Sequence, residues 1–405
     1  MIAAGIVAEY NPFHMGHLYH IRKTRECAQI DAVIAVISSN FVQRGEPAIV
    51  DKRVRTQMAL SCGADLALEL PAAFSSHNAG PFANAAVDIL AATGRVAVIS
   101  FGMENPDRLE SSLFGIADIL NDEPADFKHS LKKNLSLGYS FVQARSMALD
   151  EIAPCSLEIL KRPNNNLALS YVKRIRERRY PIGTIAVPRS GSGHNEETAR
   201  SGEAASASAI RGLAASGDVE AACALMPEES AALFREAWAS GHASSRASGL
   251  WTALRQSIIR TNARDLAAVA GMSEGLENRV MDMAFKAESY ESFVDSCTSR
   301  RYPRGRVLRL CAHILLNLSQ EESKLFQTGG PAYIRVLGAN AAGRKLLAEM
   351  RDSTALPVIS KSSAPWSEYS RSMMSFEHRA SELWETLTDN PRLRSEANYV
   401  PVMLP

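Results

Sequence analysis

The hydrophobic pattern of the first hundred residues alternates between short apolar runs and helical periodicity. The first run ends at Asn11-Pro12, where proline removes a donor from a strand ladder, and this predicts a buried strand. The remaining predicted strands cover 32–37, 66–71 and 96–100. The helices predicted between the strands begin at Leu18, run from Asp51 to Cys62, and cover 79–92. This alternation predicts an α/β fold with a parallel, right-handed, doubly wound sheet.

The pattern changes after residue 105. Residues 105–180 have helical character, with breaks at Pro124, Gly138 and Pro154, and a further strand is predicted at 184–187. Beyond Gly217 the pattern predicts no strand. The helical segments expected there are 219–240, 247–270, 275–288 and 305–318. We therefore expect an α/β domain at 1–215 and a mostly α-helical domain at 216–405.

Composition narrows the class of protein. A chain of 405 residues exceeds one comfortable hydrophobic core, which favours two domains. A net charge of +1 offers no global attraction to nucleic acid or membrane. The six cysteines show no C-x-x-C spacing, which is typical of a reducing compartment. No apolar run reaches the roughly 18 residues of a membrane span, and no secretory signal is evident. We expect a cytoplasmic protein without membrane association; its oligomeric state stays open.

The segment His14-Met15-Gly16-His17 lies between the first strand and the first helix. A helix N-terminus already favours an anion, because its free N–H groups and dipole carry partial positive charge. Gly16 permits close approach of backbone, and the two imidazoles can donate hydrogen bonds to phosphate oxygens. The pattern indicates a phosphate site. The alternative is a structural histidine pair at a helix start.

Two further segments carry phosphate-binding chemistry. Arg189 follows a predicted strand, and its guanidinium could hold phosphate oxygens in a fork; the alternative is a surface arginine in a Gly-Ser turn. The run Ser206–Arg211 offers hydroxyls at a helix start and a cation that can bind phosphate oxygens. Ser206 could equally be only an N-cap.

These segments together resemble the bacterial tRNA(Met) cytidine acetate ligase family of the His-x-Gly-His nucleotidylyltransferase superfamily. The motifs that carry the resemblance are Gly5–His17, Asn40–Gly45, Glu69-Leu70-Pro71, Phe101-Gly102, Pro163-Asn164-Asn165 and Ser206–Arg211. The resemblance implies a Rossmann-like nucleotidylyltransferase domain. It also implies that ATP activates acetate as acetyl-adenylate, and that acetyl passes to N4 of the wobble cytidine of elongator tRNA(Met).

The resemblance also implies site residues. His14 and His17 would be catalytic and stabilise charge on the α-phosphate. The ATP contacts would be Val7, Ala8, Glu9, Tyr10, Asn11, Pro12, Phe13, His14, Gly16, His17, His20, Gly102, Asn164, Asn165, Arg189, Ser206, Ser208 and Arg211. Gly102 also fits a simple turn, and Asn164 could cap the helix after Pro163.

We assign no residue as a metal ligand. Mg²⁺ is expected to accompany ATP, held mainly by its phosphates. Glu9, Asp65 and Glu69 are candidate ligands, but a structural or solvated acid is the simpler interpretation of each.

The chain departs from the family pattern at three places. Ser39 stands where the family usually has glycine, and Met15 where asparagine is common. The run 192–195 reads Ser-Gly-His-Asn where Ala-Gly-Tyr-His is usual. Ser39 and Met15 leave the predicted phosphate donors in place. The changed run 192–195 leaves open how the loop after Arg189 is arranged.

Two basic clusters could contact RNA. The first comprises Lys173, Arg174, Arg176, Arg178 and Arg179. The second, which resembles the family's arginine-rich helix start, comprises Arg300, Arg301, Arg304, Arg306 and Arg309, with Tyr302 among them. Such residues position a nucleic acid by phosphate contacts while an aromatic ring or arginine grips an unpaired base. A merely solvated basic face is the alternative for each.

Two other functions fit part of the pattern. A nucleotidylyltransferase that adenylates a small phosphate-containing metabolite would share the ATP site, although the long helical C-terminal region counts against it. A non-catalytic RNA-binding protein with a relict nucleotide fold is disfavoured by the intact His14, Gly16, His17 and Arg211.

Overall fold

A computed structural model describes residues 1–189, 206–244, 247–273, 275–351, 353–361, 367–392 and 394–405. The strands are β1 (Ala3–Ala8), β2 (Ala32–Ser38), β3 (Leu66–Leu70), β4 (Val96–Met103), β5 (Gly183–Pro188), β6 (Ile334–Ala339), β7 (Val358–Ile359) and β8 (Val402–Met403).

The helices of the first half are α1 (Met15–Cys27), α2 (Lys52–Ser61), α3 (Ala72–Ser75), α4 (Ala79–Ala92), α5 (Pro106–Asp122), α6 (Ala125–Ser136), α7 (Phe141–Ile152), α8 (Ser156–Lys161) and α9 (Pro163–Arg178). Those of the second half are α10 (Ala207–Ala215), α11 (Val219–Cys223), α12 (Glu228–Ala239), α13 (Ala247–Ile259), α14 (Ala263–Ala267), α15 (Leu276–Lys286), α16 (Tyr290–Cys297), α17 (Arg304–Leu315), α18 (Gln320–Gly329), α19 (Ala341–Met350) and α20 (Glu368–Glu385). In the described part of the chain, none of these helices is both long and apolar enough to cross a membrane.

The strands form one sheet in the order β5-β4-β1-β2-β3-β6-β7, with β8 paired to β6. β1 to β5 pair in parallel, and helices separate consecutive strands. The predicted α/β fold with a doubly wound sheet is confirmed. β2 consists entirely of buried residues, as a central strand covered on both faces requires.

The expectation of no strand beyond Gly217 is wrong. β6 lies 117 residues later, since 334 − 217 = 117, and pairs antiparallel with β3. The pattern of β6 misleads because Arg335 interrupts its apolar run, although that side chain is completely buried. Glu69 on β3 and Glu396 near the C-terminus pair with its guanidinium. The domain boundary expected near residue 216 stays a prediction, but the sheet contains strands from both sides of that residue.

The carboxyl ends of the parallel strands meet at one edge of the sheet. The strand order reverses direction at β1, since β2 and β3 lie to one side of it and β4 and β5 lie to the other. In open α/β sheets, a ligand binds outside the carboxyl ends at such a switch point. The segments that follow β1, β2 and β5, together with the end of β4, therefore form the candidate site.

Candidate active site

The bend between β1 and α1 is built from two interlocked histidines. His14 is the N-cap of α1, and its Nδ1 accepts a hydrogen bond from Gly16 N at 3.0 Å. The backbone N of His14 donates in turn to His17 Nδ1 at 3.2 Å. The two rings stack with centroids 3.8 Å apart. The helix begins at Met15, three residues before the predicted Leu18, so His17 belongs to its first turn.

These hydrogen bonds fix which nitrogen can reach a ligand. Burial, with the nearby charges of Arg189 and Arg211, lowers the pKa of His14 to about 3. Burial, with His14 and Arg189, also holds the pKa of His17 well below its usual 6.5. Both rings are therefore neutral at neutral pH. Because each Nδ1 accepts a backbone hydrogen bond, each proton resides on Nε2, which is the free donor.

Side chains from distant segments hold the bend in place. The Tyr10 and Phe13 rings are buried and pack on His17, with centroids 4.9 and 5.4 Å from it. Asn11 Oδ1 accepts from Ile49 N at 2.7 Å, and Pro12 follows in a cis peptide bond. Ser230 Oγ donates to the carbonyl of Phe13. Among the predicted ATP contacts, Tyr10 and Phe13 therefore support the histidines from behind.

Two arginines meet beside the bend. Arg211 donates to the carbonyl of Asn11 at 2.9 Å and to Ser208 Oγ at 3.4 Å, and its contact with the carboxylate of Glu46 is 3.3 Å long. Arg44 donates to the same Ser208 hydroxyl at 3.4 Å. The predictions for Ser208 and Arg211 thus fall together in space. The sequence motifs do not single out Arg44 as a site residue, although its position in the loop after β2 is a signal for one.

Arg189 approaches from the other side of β1. Its guanidinium donates to Asn164 Oδ1 at 3.3 Å. The stem of the side chain lies over Gly102, where a Cβ would come within 3.0 Å of Arg189 Cγ and Cδ. Gly102 belongs to β4 rather than to a turn, so the turn alternative is wrong. A larger residue there would press on the stem of the arginine, and glycine leaves room for it.

Asn164 and Asn165 have different surroundings at the start of α9. Asn165 is fully buried, and its amide brackets the backbone of Glu104, accepting from N at 2.9 Å and donating to O at 3.1 Å. Asn164 donates to the Glu104 carboxylate at 2.6 Å and faces Arg189. Neither caps the helix by a side-chain bond, since the N-cap is Arg162. Asn164 is the one of the two that lies beside a guanidinium.

Other predicted contacts are engaged with protein groups. His20 Nε2 lies 2.9 Å from Ser100 Oγ, which ties α1 to β4. Ser206 is the N-cap of α10 and accepts from Ala209 N at 3.2 Å, as its structural alternative required. Glu9 accepts from Gln43 N at 3.0 Å, and burial raises the pKa of its carboxyl. Val7 and Ala8 are half-buried at the end of β1.

Together these groups make a site for an anion. Arg189 and Arg211 lie near two neutral imidazoles at a helix N-terminus, and Arg44 shares the Ser208 hydroxyl with Arg211. Their charges act on one another. Besides burial, Arg189 and Arg211 lower the pKa of His14. Burial also lowers the pKa of Arg189; Glu104 opposes this shift, and the charge of Arg44 adds to it. Such a concentration of positive potential favours a phosphate or polyphosphate.

No cluster of metal ligands lies at this bend in the described part of the chain. The two groups that bring three ligand side chains together comprise Asp51, His242 and Glu385, and Glu69, Glu377 and Glu396. Of the acids considered from the sequence, Glu69 belongs to the second group. Asp65 instead pairs with Arg25 and accepts from Val33 N.

The second basic cluster lies beside the candidate site. The backbone of α17 at Leu308 and Arg309 packs so closely on Gly45 that a Cβ there would come within 2.5 Å of it, and Gly45 has φ +79°. Arg301 and Arg306 stack on Tyr302, with 6.0 and 5.1 Å to the ring centroid. The cluster therefore adjoins the loop that carries Arg44.

The members of this cluster differ in their surroundings. Arg304 pairs with Glu291 and Asp295 on α16. Arg306 donates to Ser273 Oγ at 2.6 Å. Arg300 and Arg301 are exposed in the turn that precedes α17. The exposed pair offers the most accessible charge to a polyanion.

Two members of the first basic cluster pair with acids within the protein. Arg174 is buried and donates to Asp88 at 2.9 and 2.5 Å, and Arg176 forms a forked pair with Asp118. Both lie near the C-terminal end of α9, whereas Asn164 lies at its N-terminal end. These contacts favour the structural interpretation of the first cluster. The residues at 190–205, including Gly191, Gly193 and the atypical run 192–195, lie outside the described residues.

Comparison with known proteins identifies the family of this chain. The family model for the HIGH Nucleotidyl Transferase matches residues 1–398, which defines the chain as a nucleotidyl transferase by class. A tRNA(Met) cytidine acetate ligase of Thermoanaerobacter sp. is 38% identical over 88% of each chain. Another of Clostridium perfringens is 33% identical over 100% of each chain.

Solved structures give the same result. The apo crystal structure of Thermotoga maritima TmcAL has a TM-score of 0.93 and 31% identity over 100% of both chains. The same protein bound with alpha-thio ATP has a TM-score of 0.89 and 30% identity over the full length of both chains. The chain belongs to the tRNA(Met) cytidine acetate ligase family. The resemblance found in the motifs, and the enzyme class it implies, are confirmed.

Proposed function

We propose that this protein uses ATP to activate acetate as acetyl-adenylate and transfers the acetyl group to N4 of the wobble cytidine of elongator tRNA(Met). One observation carries the proposal: Arg189 and Arg211 lie close enough to two neutral, Nε2-protonated histidines at the N-terminus of α1 to lower the pKa of His14, and Arg44 joins Arg211 at the Ser208 hydroxyl. The relatives named for this activity, and the relative bound to an ATP analogue, support it.

In the first step, an acetate oxygen attacks the α-phosphorus of ATP and pyrophosphate leaves. His14 and His17 would donate their Nε2 protons as hydrogen bonds to the α-phosphate, where negative charge accumulates in the transition state. Arg44, Arg211 and Ser208 would receive the pyrophosphate, because their mutual contacts are long and can be exchanged for phosphate oxygens. Arg189, with Asn164, would hold the nucleotide from the β4 side.

In the second step, the N4 amine of cytidine attacks the carbonyl carbon of acetyl-adenylate. AMP leaves with the electrons of the acyl–phosphate bond, and the amine loses a proton. The arginine-rich start of α17 would position the tRNA, since its packing against Gly45 brings it beside the Arg44 loop. Arg300 and Arg301 are exposed there, and Arg301 lies over the ring of the buried Tyr302.

Mg²⁺ would reach this site with the nucleotide. The described residues at the bend provide no group of three ligand side chains. A hard cation of this kind is commonly held by substrate phosphates and water. We therefore assign no chemical step to a protein-bound Mg²⁺.

The proposal is tested with ATP, labelled acetate and tRNA(Met) transcribed without modification. Label recovered on the wobble cytidine, with one pyrophosphate released per acetyl group, is the expected result. Acetate-dependent exchange of pyrophosphate into ATP without tRNA would isolate the first step. Pyrophosphate release only with a small phosphate-containing acceptor would instead support the metabolite adenylyltransferase and overturn the ligase proposal.

A further inference from the structure

Two buried clusters of acidic and imidazole side chains lie apart from the β1–α1 bend in the described part of the chain. Each brings three ligand atoms within 4.8 Å of one another. One cluster consists of Glu69, Glu377 and Glu396. Lys52 Nζ lies 2.5, 2.7 and 2.6 Å from their carboxylates. The ammonium group takes the place that a metal ion would need. This cluster is therefore a structural ion network.

The second cluster consists of Asp51, His242 and Glu385, which come from the loop before α2, the turn after α12 and the last residue of α20. All three are buried, with 7%, 1% and 2% of their surface exposed. His242 Nε2 lies 2.9 Å from Glu385 Oε2. Asp51 uses Oδ1 to cap α2 through Val54 N at 2.7 Å.

The hydrogen bonding of this cluster is incomplete. Neither His242 Nδ1 nor Glu385 Oε1 has a hydrogen-bond partner, although both atoms are buried. Buried polar atoms are almost always paired, because leaving one unpaired costs about 1–3 kcal/mol. Asp51 and Glu385 also line a cavity of about 330 Å³, whose other walls include Arg392 and Tyr399. Nε2 is the His242 nitrogen that faces Glu385, so Glu385 Oε1 is the unsatisfied ligand atom within the cluster, and the cavity leaves room for water beside it.

We propose that Asp51, His242 and Glu385 bind one divalent first-row transition ion, of which Zn²⁺ is the reference case. One imidazole nitrogen and two carboxylate oxygens form a ligand set typical of Zn²⁺, and water from the cavity completes a tetrahedron. The two carboxylates neutralise the charge of the ion. Binding would join three segments that are far apart in sequence. This inference is independent of the proposed function.

The experiment uses the full chain, stripped of metal with a chelator and studied without ATP. Zn²⁺ is titrated in competition with a chromophoric chelator, and we expect one ion per chain. Asp51→Asn keeps the N-cap oxygen and removes the charge, and Glu385→Gln keeps an acceptor for Arg392 N. Each should weaken binding by at least the roughly 10- to 100-fold that losing an outer-shell partner costs.

Asp218→Asn is the matched control, because Asp218 also caps a helix, accepting from Ala221 N at 3.0 Å, but lies outside the cluster. It should bind Zn²⁺ as the unmodified protein does. A second readout avoids dependence on one variant: Co²⁺ should give the intense visible bands of a tetrahedral site in the unmodified protein and lose them in Asp51→Asn. Absence of Zn²⁺ binding, or equal affinity in all variants, would overturn the proposal and leave a His242–Glu385 ion pair.

Discussion

Two groups of cations lie at the carboxyl edge of the same sheet, and they differ in how firmly they are held. Beside β1, Arg44 and Arg211 are half-buried and share one serine hydroxyl at 3.4 Å, while Arg211 also donates to the carbonyl of Asn11 at 2.9 Å and contacts the Glu46 carboxylate at 3.3 Å. Beside β3, Lys52 contacts three carboxylates within 2.7 Å, and its side chain is 3% exposed. Loose, accessible contacts can be exchanged for a ligand, whereas tight, buried ones cannot.

The comparison distinguishes cations that can bind a ligand from cations that stabilise the fold. At the bend, the positive potential helps to lower the pKa of His14 to about 3, with burial as the larger cause. At β3, the carboxylates raise the pKa of Lys52 despite its burial. We infer that substitutions in the first group change rates and that substitutions in the second change stability.

The largest effect is expected for Lys52→Met. Removing the ammonium leaves Glu69, Glu377 and Glu396 buried without their shared cation, and breaking such a network costs about 3–5 kcal/mol. Chemical denaturation measures the free energy of unfolding. Lys286→Met, which breaks an exposed pair with Asp282, should cost less than about 1 kcal/mol. Equal losses in the two variants would contradict the distinction.

His17→Ala should slow acetate-dependent pyrophosphate exchange by about 10²- to 10³-fold, since it removes a hydrogen-bond donor to the transition state. His17→Asn retains an acceptor for the backbone N of His14 but no Nε2 donor, so it should be nearly as slow. His129→Ala changes an exposed histidine on α6 and should be normal. A near-normal rate in His17→Asn would show that the ring only caps the helix.

Arg44→Ala tests the arginine that only the structure reveals. The substitution should lower kcat/KM for ATP by roughly 10- to 100-fold, the equivalent of one hydrogen bond to a charged group. The comparison is with Arg22→Ala, an exposed arginine on α1. If both variants keep full activity, Arg44 does not contact the nucleotide.

Reversing Arg301 and Arg304 to glutamate should weaken tRNA binding. The slope of the salt dependence of binding should fall by about one unit for each phosphate that the variant no longer neutralises. Exchange of pyrophosphate with acetate should persist. Arg176→Glu is a control with a comparable exposed ion pair, to Asp118, on the far end of α9. Unchanged tRNA affinity in the double variant would remove α17 from the interface.

The smallest effect concerns pH. Because burial holds the pKa of His14 near 3 and that of His20 near 4, neither should titrate in the pyrophosphate exchange rate between pH 6 and 8. In the unfolded chain these groups bind protons near pH 6.5. Their contribution to the free energy of unfolding is therefore complete above that pH and is lost as pH falls through the folded pKa values of about 4 for His20 and about 3 for His14. An inflection of the rate near pH 6.5 that His17→Asn abolishes would contradict the neutral assignment.

Local patterns predicted the sheet as far as β5. Asp51 caps α2 as expected, accepting from Val54 N, and Ala32–Ser38 is the central buried strand. The predicted β4 was short by three residues, which left Gly102 outside it, because Phe101-Gly102-Met103 lacks β-branched residues. Short-range pattern was sufficient wherever partners lie within one βαβ unit.

Long-range pairing was out of reach of the pattern. β6 carries the buried Arg335. Its partner Glu69 lies 266 residues earlier in the chain, and its other partner, Glu396, lies near the C-terminus. The turn residues that bound it, Gly329-Gly330-Pro331 and Asn340, were the available signal. At the site, the histidines and Arg211 were predicted from motifs. Arg44 lies in the loop after β2, which is a signal for a site residue, but only the fold shows that it meets Ser208 beside Arg211.

The antiparallel strand β6 has a consequence for synthesis on the ribosome. A nascent chain that has emerged only to residue 330 contains Lys52 and Glu69 but lacks Arg335, Glu377 and Glu396, which complete their surroundings. Such an intermediate holds an unfinished charged interior and an open sheet edge at β3. A product truncated before β6 would therefore be a natural client for chaperones and proteases, however well its first hundred residues fold.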